Sequence, residues 1–180
     1  NTSYSITVSK PGFLNAKGKE TTVGIEESKI FAHTYELIPI KEEGIKLPEI
    51  LYDFNKTTLT EQAKDSLDYL YDILIDNPQL VIELRANTDS RGSDSYNKNL
   101  SQGRAESAVR YLISRGIETE RMEPKGYGET NLLISDAEIN KLATEEEREA
   151  AHQLNRRTDF IVLRNDYVPV DQRGDSTGEE

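Results

Sequence analysis

A carboxylate and a guanidinium stand at the two ends of one polar stretch. Asp89 follows the apolar run "LVIELRANT", and Arg104 comes fifteen residues later, inside a segment whose spacing predicts a helix. A carboxylate suits an ammonium, and the planar fork of arginine suits a carboxylate held by two parallel hydrogen bonds. Together the two side chains could grip a zwitterionic amino-acid head. They could equally pair with each other and fix the loop to the helix. Residue types alone leave both readings open.

The elements that must position this pair are legible in the periodicity. In "LVIELRA", Ile82, Leu84 and Ala86 alternate against Val81, Glu83 and Arg85, which predicts a strand. Ligand groups gather at the carboxyl ends of such strands in open α/β layers. "SRGSDSYN" is a polar loop, and Ser101 is the expected cap of the next helix. Ala105, Ala108, Val109, Leu112 and Ile113 form the buried stripe of that helix, which stops at Gly116. N–H groups beyond Asn97 and Ser101 would then lack intrahelical partners and attract an anion, with Arg104 one turn in.

Upstream, "EILYDFN" predicts a strand entering a turn at Asn55. Thr60 can cap a helix carrying Ala63, Leu67, Leu70, Tyr71 and Leu74, which Asn77 and Pro78 end. Downstream, "RMEPKGYGE" reads as an edge strand interrupted by Pro124, and Thr144 with Glu147 as a capping box for a helix through Asn155. "TDFIVLR" closes the sheet. The order predicts an α+β domain over residues 47–164, one sheet with helices packed on it.

Residues 1–40 read differently. "YSITVSKPGF", Thr21–Glu26 and "HTYELIPI" are short strand candidates, expected to form the end of a small β-sandwich module or a β extension. Lys41–Lys46 is the expected linker, and the charged residues 165–180 an expected disordered acidic tail. The net charge of −11 disfavours a phosphate backbone, so nucleic acid is not an expected partner. No apolar run approaches the length of a transmembrane helix.

Catalysis finds little support. His33 and His152 lie far from the polar stretch, and Ser101 and Ser107 have no evident activating partner. Asp89 and Asp94 across a Gly-containing loop fix no distance between two carboxylates. "DSRGSD" lacks the ligand ladder of a calcium loop, and no cysteine is present to bind a metal through thiolate. Neither a metal nor a cofactor is expected.

Four stretches follow one another through the main domain: "YDFNKTTL", "NTDSRGSDSYNKNLSQGRAESAVRYLISRGI", "KGYGE" and "NRRTDFIVL". In that order they resemble the OmpA-like carboxy-terminal domain, the peptidoglycan-binding module of outer-membrane proteins and peptidoglycan-associated lipoproteins. The resemblance implies a β-α-β-α-β-α-β domain with a mixed sheet and no enzymatic activity. It implies that Asp89 and Arg104 hold the free amino-acid end of meso-diaminopimelate in the peptidoglycan stem peptide. Thr88, Phe54, Asn55, Asn97 and Leu100 match residues around the same pocket, and either Arg156 or Arg157 of "NRR" closes it.

The chain departs from the family's pattern in places. Asn87 stands where many members carry histidine, and Asn55 replaces a common aspartate, removing a negative charge near the ammonium. Residues 131–149 are longer than in compact members and are expected to be a surface decoration. The first forty residues resemble the end of a carboxypeptidase-regulatory-like module. Such modules accompany this domain in multidomain envelope lipoproteins of the Bacteroidetes type, including one associated with type 9 secretion. The implied location is the periplasm, at the outer membrane and cell wall. Envelope or secretion-system proteins are the alternative partners, should the domain serve protein–protein interaction instead.

Overall fold

The computed structural model describes residues 1–48, 50, 52 and 57–172. Its elements run β1 (Ser3–Val8), β2 (Ala16–Thr21), β3 (Ile45–Lys46), α1 (Glu61–Asp76), β4 (Val81–Asn87), α2 (Asp94–Ser114), β5 (Met122–Gly128), α3 (Asp136–Ile139), α4 (Glu145–Asn155) and β6 (Thr158–Arg164). β1 and β2 form a two-stranded antiparallel sheet, and the main sheet has the order β3-β6-β4-β5. β4 runs parallel to β5 and antiparallel to β6, so the sheet is mixed and the fold is α+β, as the sequence predicts.

The alternation along β4 sorts its two faces. Ile82 and Leu84 join Phe160, Met122 and the α1 and α2 leucines Leu67, Leu70, Leu74 and Leu112 in one buried cluster. Burial of each such leucine contributes about 2 kcal/mol before chain entropy is counted. On the other face the charged residues are covered by one another. Glu83 accepts from Lys125 Nζ at 3.0 Å and Tyr127 Oη at 2.7 Å, while Arg85 pairs with Asp159 directly across the sheet.

Thr60 caps α1, its hydroxyl accepting from the Ala63 N–H, and Thr144 with Glu147 forms the expected capping box on α4. The far end of α1 is closed from outside. The buried Arg121 guanidinium donates to the carbonyls of Leu74, Asn77 and Leu80, at 2.8, 2.8 and 3.0 Å. Burial alone pulls the Arg121 pKa down, which marks how far this cation is desolvated.

α2 corrects the sequence reading. Its cap is Ser93, whose hydroxyl accepts from the Tyr96 N–H, and Ser101 lies well inside the helix. The buried stripe continues toward the amino end through the polar side chains Asn97 and Ser101, so an apolar count starts too late. The Ser101 hydroxyl donates to the Lys98 carbonyl and accepts from the Gly128 N–H at 2.8 Å. That bond ties α2 to β5. A Cβ at Gly126 would sit 2.1 Å from the Gln102 backbone nitrogen, so the crossing needs glycine there.

The first forty residues dock on the end of α1. Leu14 is buried in the main core, and its N–H donates to the Ile38 carbonyl. Of the expected strand "HTYELIPI", only Pro39 bridges, to Phe13. Thr21–Glu26 is also not a strand of its own: β2 ends at Thr21 and a turn follows. Asn77, buried at the C-cap of α1, accepts from the Asn15 N–H at 2.7 Å and donates to the carbonyls of Asn15 and Ile73. Asn77→Ala is expected to cost about 1–2 kcal/mol, because it orphans groups that stay shielded. Denaturant unfolding would measure that loss, and amide exchange should show the Leu14–Ala16 region losing protection first.

Two expected boundaries shift. Ile45–Lys46, placed in the linker, pairs with Phe160 and Asp159 as the sheet's edge. The described part of the expected tail, residues 165–172, packs on the domain: Tyr167 buries its ring and its N–H donates to the Gln79 carbonyl. Of the expected strand "EILYDFN", Ile50 is buried and Tyr52 bridges to Leu59; its other residues lie outside those described.

Candidate functional site

Asp89 sits two residues beyond the carboxyl end of β4 and is buried. Burial pushes its pKa up, but hydrogen bonds from Arg91 and Arg156 outweigh that and hold it below the usual carboxylate range. One carboxylate oxygen accepts the Arg91 backbone N–H at 3.1 Å; the other accepts Arg91 Nε at 3.1 Å, Arg91 Nη2 at 2.6 Å and Arg156 Nη1. Both arginines also reach Glu149. Arg91 Nη1 donates to Glu149 Oε2 at 2.8 Å and Arg156 Nη2 to Oε1 at 2.7 Å. The Glu149 pKa is lowered, first by the Arg156 bond and then by that from Arg91.

Arg104 enters from the third turn of α2. Its guanidinium lies over the Tyr52 ring, 4.8 Å from the centroid, and the Tyr52 hydroxyl donates to the Arg104 carbonyl. Burial lowers the Arg104 pKa, the mark of a cation largely withdrawn from water. Among the described ion pairs, those of Asp89 are with Arg91 and Arg156; none joins it to Arg104. The two residues instead line one open cleft of about 740 Å³.

Of the residues the sequence singled out, Thr88, Asn97, Leu100 and Arg156 line the same cleft. The Thr88 hydroxyl is buried without a hydrogen-bond partner, as is the side-chain oxygen of neighbouring Asn87. Asn97 positions the loop more than it presents a group, because its amide donates to the carbonyls of Asp89 and Arg91 and to Glu129. Arg157 turns toward Asp159 and the Asn131 carbonyl and lines an adjoining cavity, so Arg156 is the member of "NRR" that reaches Asp89. Phe54 and Asn55 lie outside the described residues.

Two expectations need correction. The amides beyond Asn97 and Ser101 belong to the interior of α2, so they are not an anion site beside Arg104. The segment 131–149 is more than decoration, because it delivers Glu149 to the cleft. Sequence reasoning also missed Arg91, Tyr96 and Gln153, which line it too. A signal existed: Glu149, Gln153 and Arg156 recur at spacings of four and three, one face of a helix. Among the described residues lining the cleft, three guanidiniums (Arg91, Arg104, Arg156) stand against two carboxylates (Asp89, Glu149), a formal +1 within a chain of −11. That balance favours a ligand carrying a carboxylate.

Comparison with known proteins agrees with this architecture. The chain is 41% identical over 85 residues to outer membrane protein A of Salmonella typhi; the match covers 46% of this chain and 24% of that protein. The chain thus spans about a quarter of that relative's length. Among solved structures, the peptidoglycan-associated lipoprotein of Burkholderia pseudomallei aligns with a TM-score of 0.51 and 28% identity, over 63% of this chain and 87% of its own. A MotB-like protein from Desulfovibrio vulgaris aligns at 0.51 and 25%, over 66% and 70%. No helix among the described residues is long and apolar enough to cross a membrane. Residues 51–146 match the OmpA family, and the chain belongs to that family, a non-enzymatic one.

Proposed function

We propose that this domain anchors an envelope complex to the cell wall by binding the peptidoglycan stem peptide non-covalently, through the side-chain terminus of meso-diaminopimelate. The observation that carries the reading is the placement of Asp89 and Arg104 on one cleft, a carboxylate on one side and a largely desolvated guanidinium on the other. The ligand ammonium meets Asp89 and the ligand carboxylate meets Arg104. Thr88 adds a buried hydroxyl without a partner at the same end of β4. The names of the relatives, an outer membrane protein and a peptidoglycan-associated lipoprotein, support the setting: the periplasm, at the wall and outer membrane. Many such contacts along one polymer would turn weak single sites into firm retention.

The test is calorimetric titration with two matched stem peptides, one with meso-diaminopimelate and one with lysine at the same position. Lysine keeps the ammonium and lacks the carboxylate. It is expected to bind about ten- to a hundredfold more weakly, the ~1–3 kcal/mol of a charged group left without its partner. Equal affinity for the two peptides would sink this recognition mode. No binding to either would favour a protein-interaction role for the cleft.

A further inference from the structure

Within the cleft Asp89 already holds two guanidiniums. Arg91 is the more exposed of its two guanidinium partners, its side chain 53% exposed against 26% for Arg156. It is also attached at its other end to Glu149, which comes from the segment preceding "NRR" and is itself half exposed. We propose that Arg91 is a built-in competitor for the ammonium subsite, and that Glu149 is the post to which it swings when a ligand cation takes Asp89.

The geometry supports an exchange more than a rigid brace. Arg91 gives Nε and Nη2 to Asp89 and Nη1 to Glu149, so the fork can leave one carboxylate while keeping the other. Asp89 is not left bare in the exchange, because the Arg91 backbone N–H and Arg156 Nη1 remain on it. A ligand must therefore bring a cation able to replace two guanidinium hydrogen bonds. A primary ammonium with three donors can do so, whereas an N-acylated amine cannot. The apparent affinity of the subsite is the intrinsic one scaled by the fraction of time Arg91 leaves it free.

This inference rests on the ammonium-binding reading of Asp89, and the test separates the two. The full 180-residue chain and its variants are titrated with the tripeptide L-alanyl-γ-D-glutamyl-meso-diaminopimelate. Arg91→Ala is expected to bind about two- to fivefold more tightly than the unaltered chain, the range for an ion pair with one solvent-exposed partner. Glu149→Gln is expected to bind more weakly by a similar factor, because the displaced Arg91 loses the negative charge of its second partner. That weakening should shrink once Arg91 is alanine, which a double-mutant cycle reads directly. Arg91→Gln serves as a second variant of similar bulk, and thermal melts confirm that each variant is folded. If the unaltered chain binds and both Arg91 variants bind equally or more weakly, Arg91 is a ligand contact or a brace and the inference falls alone. If the unaltered chain fails to bind the tripeptide, the ammonium reading falls and the competitor with it.

Discussion

Arg104→Ala should lose stem-peptide binding by about a hundredfold or more while the domain stays folded. The side chain is largely desolvated and lies over the Tyr52 ring. A carboxylate bound there gains a charge-assisted partner in a shielded place, and truncating one side of such a pair costs on the order of 2–5 kcal/mol. The ring contact gives a further handle. Arg104→Lys keeps the charge but not the planar fork, so it should recover only a minor part of the affinity. Titration of both variants with the diaminopimelate tripeptide, beside a thermal melt, distinguishes lost recognition from lost folding. Normal binding by Arg104→Ala would remove the carboxylate from this end of the cleft.

Arg121→Met should have the largest effect on stability among the substitutions considered, about 3 kcal/mol, with no direct contact to the cleft. The methionine side chain replaces much of the buried stem volume, but the carbonyls of Leu74, Asn77 and Leu80 lose their common donor. Acceptors shielded from water each cost roughly 1–3 kcal/mol when left unmet, and partial rehydration keeps the sum below the full total. Denaturant midpoints would read the loss. A slope that also changes would mean that the end of α1 opens separately from the rest of the domain. A midpoint unmoved from that of the unaltered chain would show that water replaces the guanidinium at little cost.

The fold was legible wherever pattern and chemistry agreed over a short range. Thr60 and Thr144 announced their helices because capping is a contact across three residues. β4 announced itself because its faces differ in polarity, even though Glu83 on the polar face is as buried as the core. α2 was misread at its start because Asn97 and Ser101 occupy buried positions as hydrogen-bonding groups, which an apolar count skips. β3 was read as linker because two residues carry no period.

The candidate site was legible in its parts and not in its wiring. Asp89 stood out at a strand end and Arg104 on a helix, and both line the cleft. "TDSRG" gave no reason to separate Arg91 from an ordinary turn residue, since its second partner, Glu149, is 58 positions away. Arg156 lies 67 positions from Asp89, and only the antiparallel return of β6 beside β4 brings them together. Such pairings are set by strand order, which spacing does not encode.

The strand order also governs when the sheet can be completed. β6, the last of this sheet's strands in chain order, lies between β3 and β4. Until Thr158–Arg164 has emerged, β3 has no neighbour and β4 is paired on one side alone. An unpaired strand flank is a template for aggregation, and contacts this distant along the chain close slowly. The sheet therefore carries an open seam until its last strand emerges, and a nonsense codon between Gly128 and Thr158 would remove the middle of the sheet, leaving β3 stranded on one side and the β4–β5 pair on the other.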